Sequence, residues 1–235
     1  MDDSDVACCG QVEEETVDEI GVVAVLADPV RRRLYDAVVS ATGPIGREEA
    51  ARSALVPVHS ARFHLDKLVD AGLLEISYAR LTGRSGPGAG RPAKLYQRSA
   101  AEVAVSLPHR SYGLVGGVLA SAVERTLRGG DVGAALRDEA VARGRALGSS
   151  YDGPGDELDR AAGALAEEGF EPRRQGGEVC LRNCPFDALA RDHTELVCGL
   201  NLDFVTGVLD GLGCPSASAR LQPGAEHCCV RVSAD

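Results

Sequence analysis

The feature that most constrains this chain is the order of its periodicities over residues 22–97: apolar stripes at helical spacing joined by short turns, then two strand-like runs around a glycine-rich loop. Val22, Val25, Leu26, Leu34, Val38 and Val39 recur at three- and four-residue steps, with Asp28 and Pro29 placed as an N-cap and first-turn proline. Thr42-Gly43-Pro44 ends that pattern. A short helix is expected over about 46–54 and a longer one over 57–71, closed by Gly72. Residues 73–78 and 94–97 then read as strands flanking 83–90, a loop rich in Gly, Ser and Pro. Three helices followed by a hairpin with a basic tip is the plan of a winged helix-turn-helix.

On the third helix Val58, Ala61, Leu65, Leu68 and Val69 share one stripe at 100° per residue, which turns His59, Ser60, Phe63 and Lys67 to the opposite face. His59, Ser60 and Arg62 fall in the first turns, where a recognition helix reaches base edges. Phe63 is placed to cover a thymine methyl, and Lys67 to meet phosphate. A solvated face, with Phe63 covered by another part of the chain, is the alternative for an isolated helix. The hairpin favours nucleic acid, because Arg80, Arg84, Arg91 and Lys94 lie on or beside its tip, where minor-groove or phosphate contact is natural. The net charge of −10 runs against DNA until it is divided along the chain. Residues 21–98 hold twelve basic side chains and seven acidic ones, between two acidic flanks. That is an electrostatic footprint for double-stranded DNA.

The runs Leu26-Ala27-Asp28-Pro29-Val30-Arg31-Arg32-Arg33-Leu34, His64-Leu65-Asp66-Lys67-Leu68, Ala71-Gly72-Leu73-Leu74 and Gly90-Arg91-Pro92-Ala93-Lys94-Leu95-Tyr96 resemble the ArsR-type winged-helix regulators. More narrowly they are similar to the branch containing the SufR repressors, whose wing carries a Gly-Arg-Pro followed by a Tyr. The likeness extends through most of the chain after residue 22, and the wing run is its most specific part.

Six of the eight cysteines fall after position 179: Cys180, Cys184, Cys198, Cys214, Cys228 and Cys229. In a reducing compartment such a set points to metal or redox chemistry before a disulfide framework. Cys184-Pro185-Phe186, then Cys198, then Cys228 is similar to the SufR pattern, and the resemblance implies a [4Fe–4S] cluster held by those three. For the fourth position Cys214 ranks first, in a Gly-Cys-Pro turn that could fold back. Cys229 ranks next, then Cys180, Asn201 or His227. Cys228 and Cys229, read as neighbours on a strand, are expected to face opposite ways unless a bulge intervenes. Cys198, near a helix start, is expected to be favoured as a thiolate. The chain departs from the SufR pattern at Gly199-Leu200-Asn201, where an acidic residue often stands at the third position. A structural or sensory zinc, a thiol–disulfide switch and buried free cysteines remain as readings of the same residues. Cys8 and Cys9 receive no role, and His193 reads as a surface residue at a helix start.

Helices near 112–127, 132–147, 158–168 and 196–212, with strands around 170–174, 178–181, 220–221 and 228–232, make the rest of the chain mixed. The expected fold class is α+β. It comprises an acidic, disordered tail (1–20), a winged helix (21–99), a helical linker and dimerisation segment (100–150) and an α/β sensor domain carrying the cysteines (151–235). The acidic start is unlike a signal peptide, and no run of eighteen apolar residues occurs, so a cytoplasmic protein with no membrane partner is expected. No GxSxG elbow, P-loop, dinucleotide fingerprint or HExxH helix is present, which disfavours an enzyme. An iron–sulfur enzyme or electron carrier is the competing class, and it leaves the winged helix without a purpose. A homodimer on an inverted-repeat operator follows from the small footprint of a single recognition helix. By resemblance, the cluster-bound form would bind and repress.

Overall fold

The computed structural model describes residues 19–80, 92–223 and 228–234, which divide into two units, one ending at Val105 and the other beginning at Ser106. The first unit opens with α1 (Glu19–Val25) and α2 (Pro29–Val39), which are separate helices because Asp28 is extended and its carboxylate accepts from the backbone N–H groups of Val30 and Arg31. Those bonds hold the Asp28 carboxyl below its ordinary range. Arg31 and Arg32 reach back to the Val25 and Leu26 carbonyls, satisfying acceptors that a helix end leaves open. After β1 (Ile45–Gly46) come α3 (Arg47–Ser53), α4 (Val58–Asp70), β2 (Leu74–Ala79) and β3 (Ala93–Arg98).

Leu34, Val38, Ala50, Ala61, Leu65 and Leu68 close one core with Leu74 and Tyr96 of the hairpin. Val58, expected in the buried stripe, is instead 41% exposed, because it is the first residue of α4 and lies beyond the core's edge. The expected hairpin pairs in antiparallel register from Leu74 opposite Arg98 to Ala79 opposite Ala93. β1 adds a third strand through Ile45 and Gly46, an element too short for periodicity to reveal. Gly72 takes a positive φ of 72° at the end of α4, as its capping role requires.

The second unit is built from α5 (Tyr112–Leu127), α6 (Val132–Ser150), α7 (Glu157–Glu167), β4 (Pro172–Gln175), β5 (Glu178–Leu181), α8 (Asp187–Asp192), α9 (Thr194–Leu212), β6 (Ala217–Leu221) and β7 (Val230–Ala234). Its sheet is antiparallel in the order β4-β5-β7-β6. The two helices expected in a separate linking segment share this unit's core, since Val115 and Val118 of α5 and Ala140 of α6 pack with Phe170, Phe186, Phe204 and Val205. The final strand starts at Val230, two residues later than expected, and α8 is a short helix without an apolar stripe in the sequence to mark it.

Four glycines bring α6 and α9 into backbone contact. A Cβ on Gly144 would lie 2.0 Å from the Phe204 carbonyl oxygen, and one on Gly207 would lie 2.2 Å from that of Val141. Gly148 and Gly211 meet Val208 and Arg145 in the same way. The contacts advance together along both helices, so the two run parallel. Arg145 and Asp210 pair across the rim at 3.0 Å. Such an approach leaves no room for a methyl group on either side, and overpacking of this kind typically costs about 1–3 kcal/mol. Gly207→Ala should therefore lower the unfolding free energy by at least that range. Gly199→Ala, on the same helix with nothing near its Cβ position, should raise it by roughly 0.5–1 kcal/mol; chemical denaturation of both variants, if it gave equal effects, would contradict the packing.

Candidate functional site

α4 carries the side chains expected to read DNA. Ala61, Leu65 and Leu68 anchor it, and His59, Arg62, Phe63 and Lys67 are exposed on its outer surface while Ser60 is half-buried. Phe63 is 59% exposed, touching His64 edge to face with ring centroids 5.3 Å apart. Arg62 lies 3.8 Å from Asp66 and Lys67 lies 3.7 Å from Asp70, spacings that leave both cations to solvent or phosphate.

Lys94 differs from its expected role. Its ammonium donates to Asp66 Oδ1 at 2.6 Å and sits 5.1 Å from the centre of the Tyr96 ring. It braces the hairpin on α4 and is not a free wing cation; sequence reasoning missed Asp66 because the two residues are 28 apart. Arg84 and Arg91 lie outside the described residues, as do Cys8, Cys9 and His227.

Cys184, Cys198, Cys228 and Cys229 come from three separate segments and line one pocket of about 420 Å³ in the second unit. Cys184 stands in the loop between β5 and α8, Cys198 in α9, and the adjacent pair just before β7. Because Cys229 occupies a bend ahead of the strand, strand alternation does not apply, and both neighbours reach the pocket. The thiols are arranged in pairs: Cys198 and Cys229 sulfurs are 3.4 Å apart, and Cys184 and Cys228 are hydrogen-bonded. Among the described residues, no three His, Cys, Asp or Glu side chains converge to hold a single metal ion.

Cys214 does not join them. Its thiol turns toward the Glu157 carbonyl oxygen at 3.8 Å and is buried in the apolar core, so the Gly-Cys-Pro turn folds away from the pocket. Cys180 is buried in β5 and also lies outside the pocket lining. His193 is exposed at the start of α9.

Arg110, Asn183 and Asn201 stand in the pocket's polar lining beside Arg182, Asp187, Arg191 and Thr194, and sequence patterns gave no sign of the first two. Arg110 donates to the Cys184 carbonyl at 2.9 Å and to Asn183 Oδ1. Asn183 in turn donates to the carbonyls of His109 and Gly169 at 2.9 and 2.6 Å. The Ser111 N–H donates to the Pro185 carbonyl at 3.2 Å.

The thiols differ in acidity. The hydrogen bond from Cys228 lowers the Cys184 thiol to about 7, with the Phe186 N–H and the Arg110 charge acting the same way. Cys228 is pushed up by that same bond and by burial. Burial, then Cys229, pushes Cys198 up to about 12, the reverse of the expectation from its helix. The helix dipole is felt mainly in the first turn, and Cys198 lies past it. In metal-free protein at about pH 7.5, alkylation followed by peptide mass mapping should find Cys184 modified ahead of Cys198 and Cys228. Modification of Cys198 first would contradict this order.

No curated protein matches the chain. Among solved structures, the crystal structure of human N-acetylserotonin methyltransferase in complex with SAM is 18% identical over 69% of this chain and 57% of that chain, with a TM-score of 0.24. That likeness is too weak to indicate a shared fold. No described helix is long and apolar enough to cross a membrane. Residues 26–77 match the family model of a helix-turn-helix domain. The matched span holds α2, α3 and α4 with their solvent-facing basic and aromatic side chains, and it supports a DNA-binding transcription regulator.

Proposed function

We propose that this chain is a cytoplasmic transcription regulator, a repressor of the SufR type, that binds double-stranded DNA through α4 and the hairpin. In this reading its second unit senses iron–sulfur or redox status with a [4Fe–4S] cluster on Cys184, Cys198 and Cys228, and with Cys229 in the fourth position. The observation that carries the reading is the meeting of four thiols from three segments in one pocket of about 420 Å³.

The donor set suits the group, since thiolates are the usual ligands of iron–sulfur clusters. A single zinc ion needs its ligands about 2.3 Å from one point, and among the described residues no three His, Cys, Asp or Glu side chains converge in that way. When bound, the group supplies a redox-active occupant.

The chain's own residues carry that state outward. Arg110 and Asn183 tie the Cys184 loop to segment 106–111, and this segment continues directly from Val105, where the first unit ends. A shift of the Cys184 loop therefore moves the segment that leaves the DNA-binding unit. In a homodimer it would bias the spacing of the two recognition helices, so that pocket state becomes operator affinity. Exposed Val123 and Leu127 of α5 and Val132 of α6 supply an apolar surface for that dimer, and two-fold symmetry calls for an inverted-repeat operator.

A second reading, a thiol–disulfide switch, is favoured by the Cys198–Cys229 contact alone. Non-reducing peptide mapping would show that bond in iron-free protein.

Anaerobically purified protein should contain iron and sulfide and absorb through thiolate-to-iron transitions. Cys184→Ser, Cys198→Ser or Cys228→Ser should abolish the colour, Cys229→Ser should weaken or abolish it, and Cys214→Ser should leave it unchanged. A colourless protein holding one zinc per chain contradicts the reading. Phe63→Ala should keep stability within about 0.5 kcal/mol, as expected for an exposed residue. The same change should weaken operator binding by up to about 1.5–3 kcal/mol, the range for burying an apolar side chain; unchanged affinity in a binding titration would remove Phe63 from the interface.

A further inference from the structure

Asn201 is 1% exposed and stands on the buried side of α9 between Val197, Leu200, Phe204 and Val205. An amide is a poor choice there, because asparagine is a weak helix former and a buried polar group is disfavoured unless it is hydrogen-bonded. One end of it is used: Nδ2 donates to Cys228 Sγ at 2.9 Å. The other end, Oδ1, is buried without a partner in the lining of the thiol pocket. A half-satisfied amide inside a core calls for a role beyond packing. A ligating thiolate carries no proton and only accepts hydrogen bonds, so the amide must present its N–H to that sulfur, as it does here.

We infer that Asn201 is a positioning residue for the metal group: its N–H holds the Cys228 sulfur in place and withdraws charge from it, raising the reduction potential of the group that sulfur ligates. The inference rests on the cluster reading above. Hydrogen bonds to cluster sulfurs are among the factors that set iron–sulfur potentials, and outer partners of metal ligands orient them and tune the metal. Asn201 is fixed for this task because it sits one turn after Cys198 on the helix that the glycines clamp to α6. One helical turn thus supplies a ligand and the donor to a second ligand from the other end of the pocket's sequence.

The test uses full-length protein reconstituted anaerobically, with iron and sulfide analysis and an optical redox titration of wild type, Asn201→Leu and Asn201→Gln. Leucine keeps the branched heavy-atom shape without a donor; glutamine keeps the donor. The expected result is a lower midpoint potential for Asn201→Leu, with faster loss of iron to a chelator, and a return toward wild type in Asn201→Gln. If the leucine chain does not fold, Asn201→Ala is read in its place. Wild-type potential and iron retention in the donor-free variant would overturn the inference, and so would equal impairment of the leucine and glutamine variants, which marks a packing role. Wild-type protein without iron and sulfide overturns the cluster reading itself, a result distinct from a loaded wild type whose variants titrate identically.

Discussion

The parallel contact of α6 with α9 is the constraint on which the second unit depends. Gly144, Gly148, Gly207 and Gly211 let two backbones approach where any side chain would collide with a carbonyl oxygen. Interiors are close-packed and transmit strain, so α9 is held at a fixed depth and rotation. That places Cys198 and Asn201, both near its beginning, opposite the Cys184 loop and the segment before β7. Precision in a loop-built pocket thus comes from one rigid helix, with the looser elements arranged around it.

The chemistry of the pocket follows from burying thiols together. Desolvation disfavours the charged form, and neighbouring thiols that share a proton push their acidities apart. Cys184 gains from the Cys228 hydrogen bond, while Cys228 and Cys198 are pushed the other way. A metal-free pocket therefore resists holding several thiolates at once. In the proposed cluster-bound form, positive iron would offset that penalty, since ligation requires deprotonated sulfur and metal binding releases protons. Arg110 links this chemistry to the rest of the chain, since it lines the pocket while bonding the Cys184 carbonyl and Asn183.

Local signals in the sequence were legible and distant ones were not. The Asp28 cap, the buried stripe of α4, the exposed Phe63 and the paired strands of the hairpin all follow from residues within a few positions of each other. Alternation along a strand from Cys228 onward ranks Cys229 below Cys214; the strand begins at Val230, and the bend before it lets both cysteines line the pocket. The Gly-Cys-Pro turn that favours Cys214 in the sequence points its thiol at the Glu157 carbonyl. Arg110 and Asn183 meet across 73 positions, and Lys94 finds Asp66 across 28, without any periodic pattern to announce the pairing.

In the proposed holo-protein one iron–sulfur group sits among four sulfurs. Crystals grown without oxygen, with anomalous diffraction measured on both sides of the iron absorption edge, would locate it. A single strong iron peak is expected in the pocket lined by Cys184, Cys198, Cys228 and Cys229. A peak at the zinc edge in that place, or iron bound at Cys214, would contradict it.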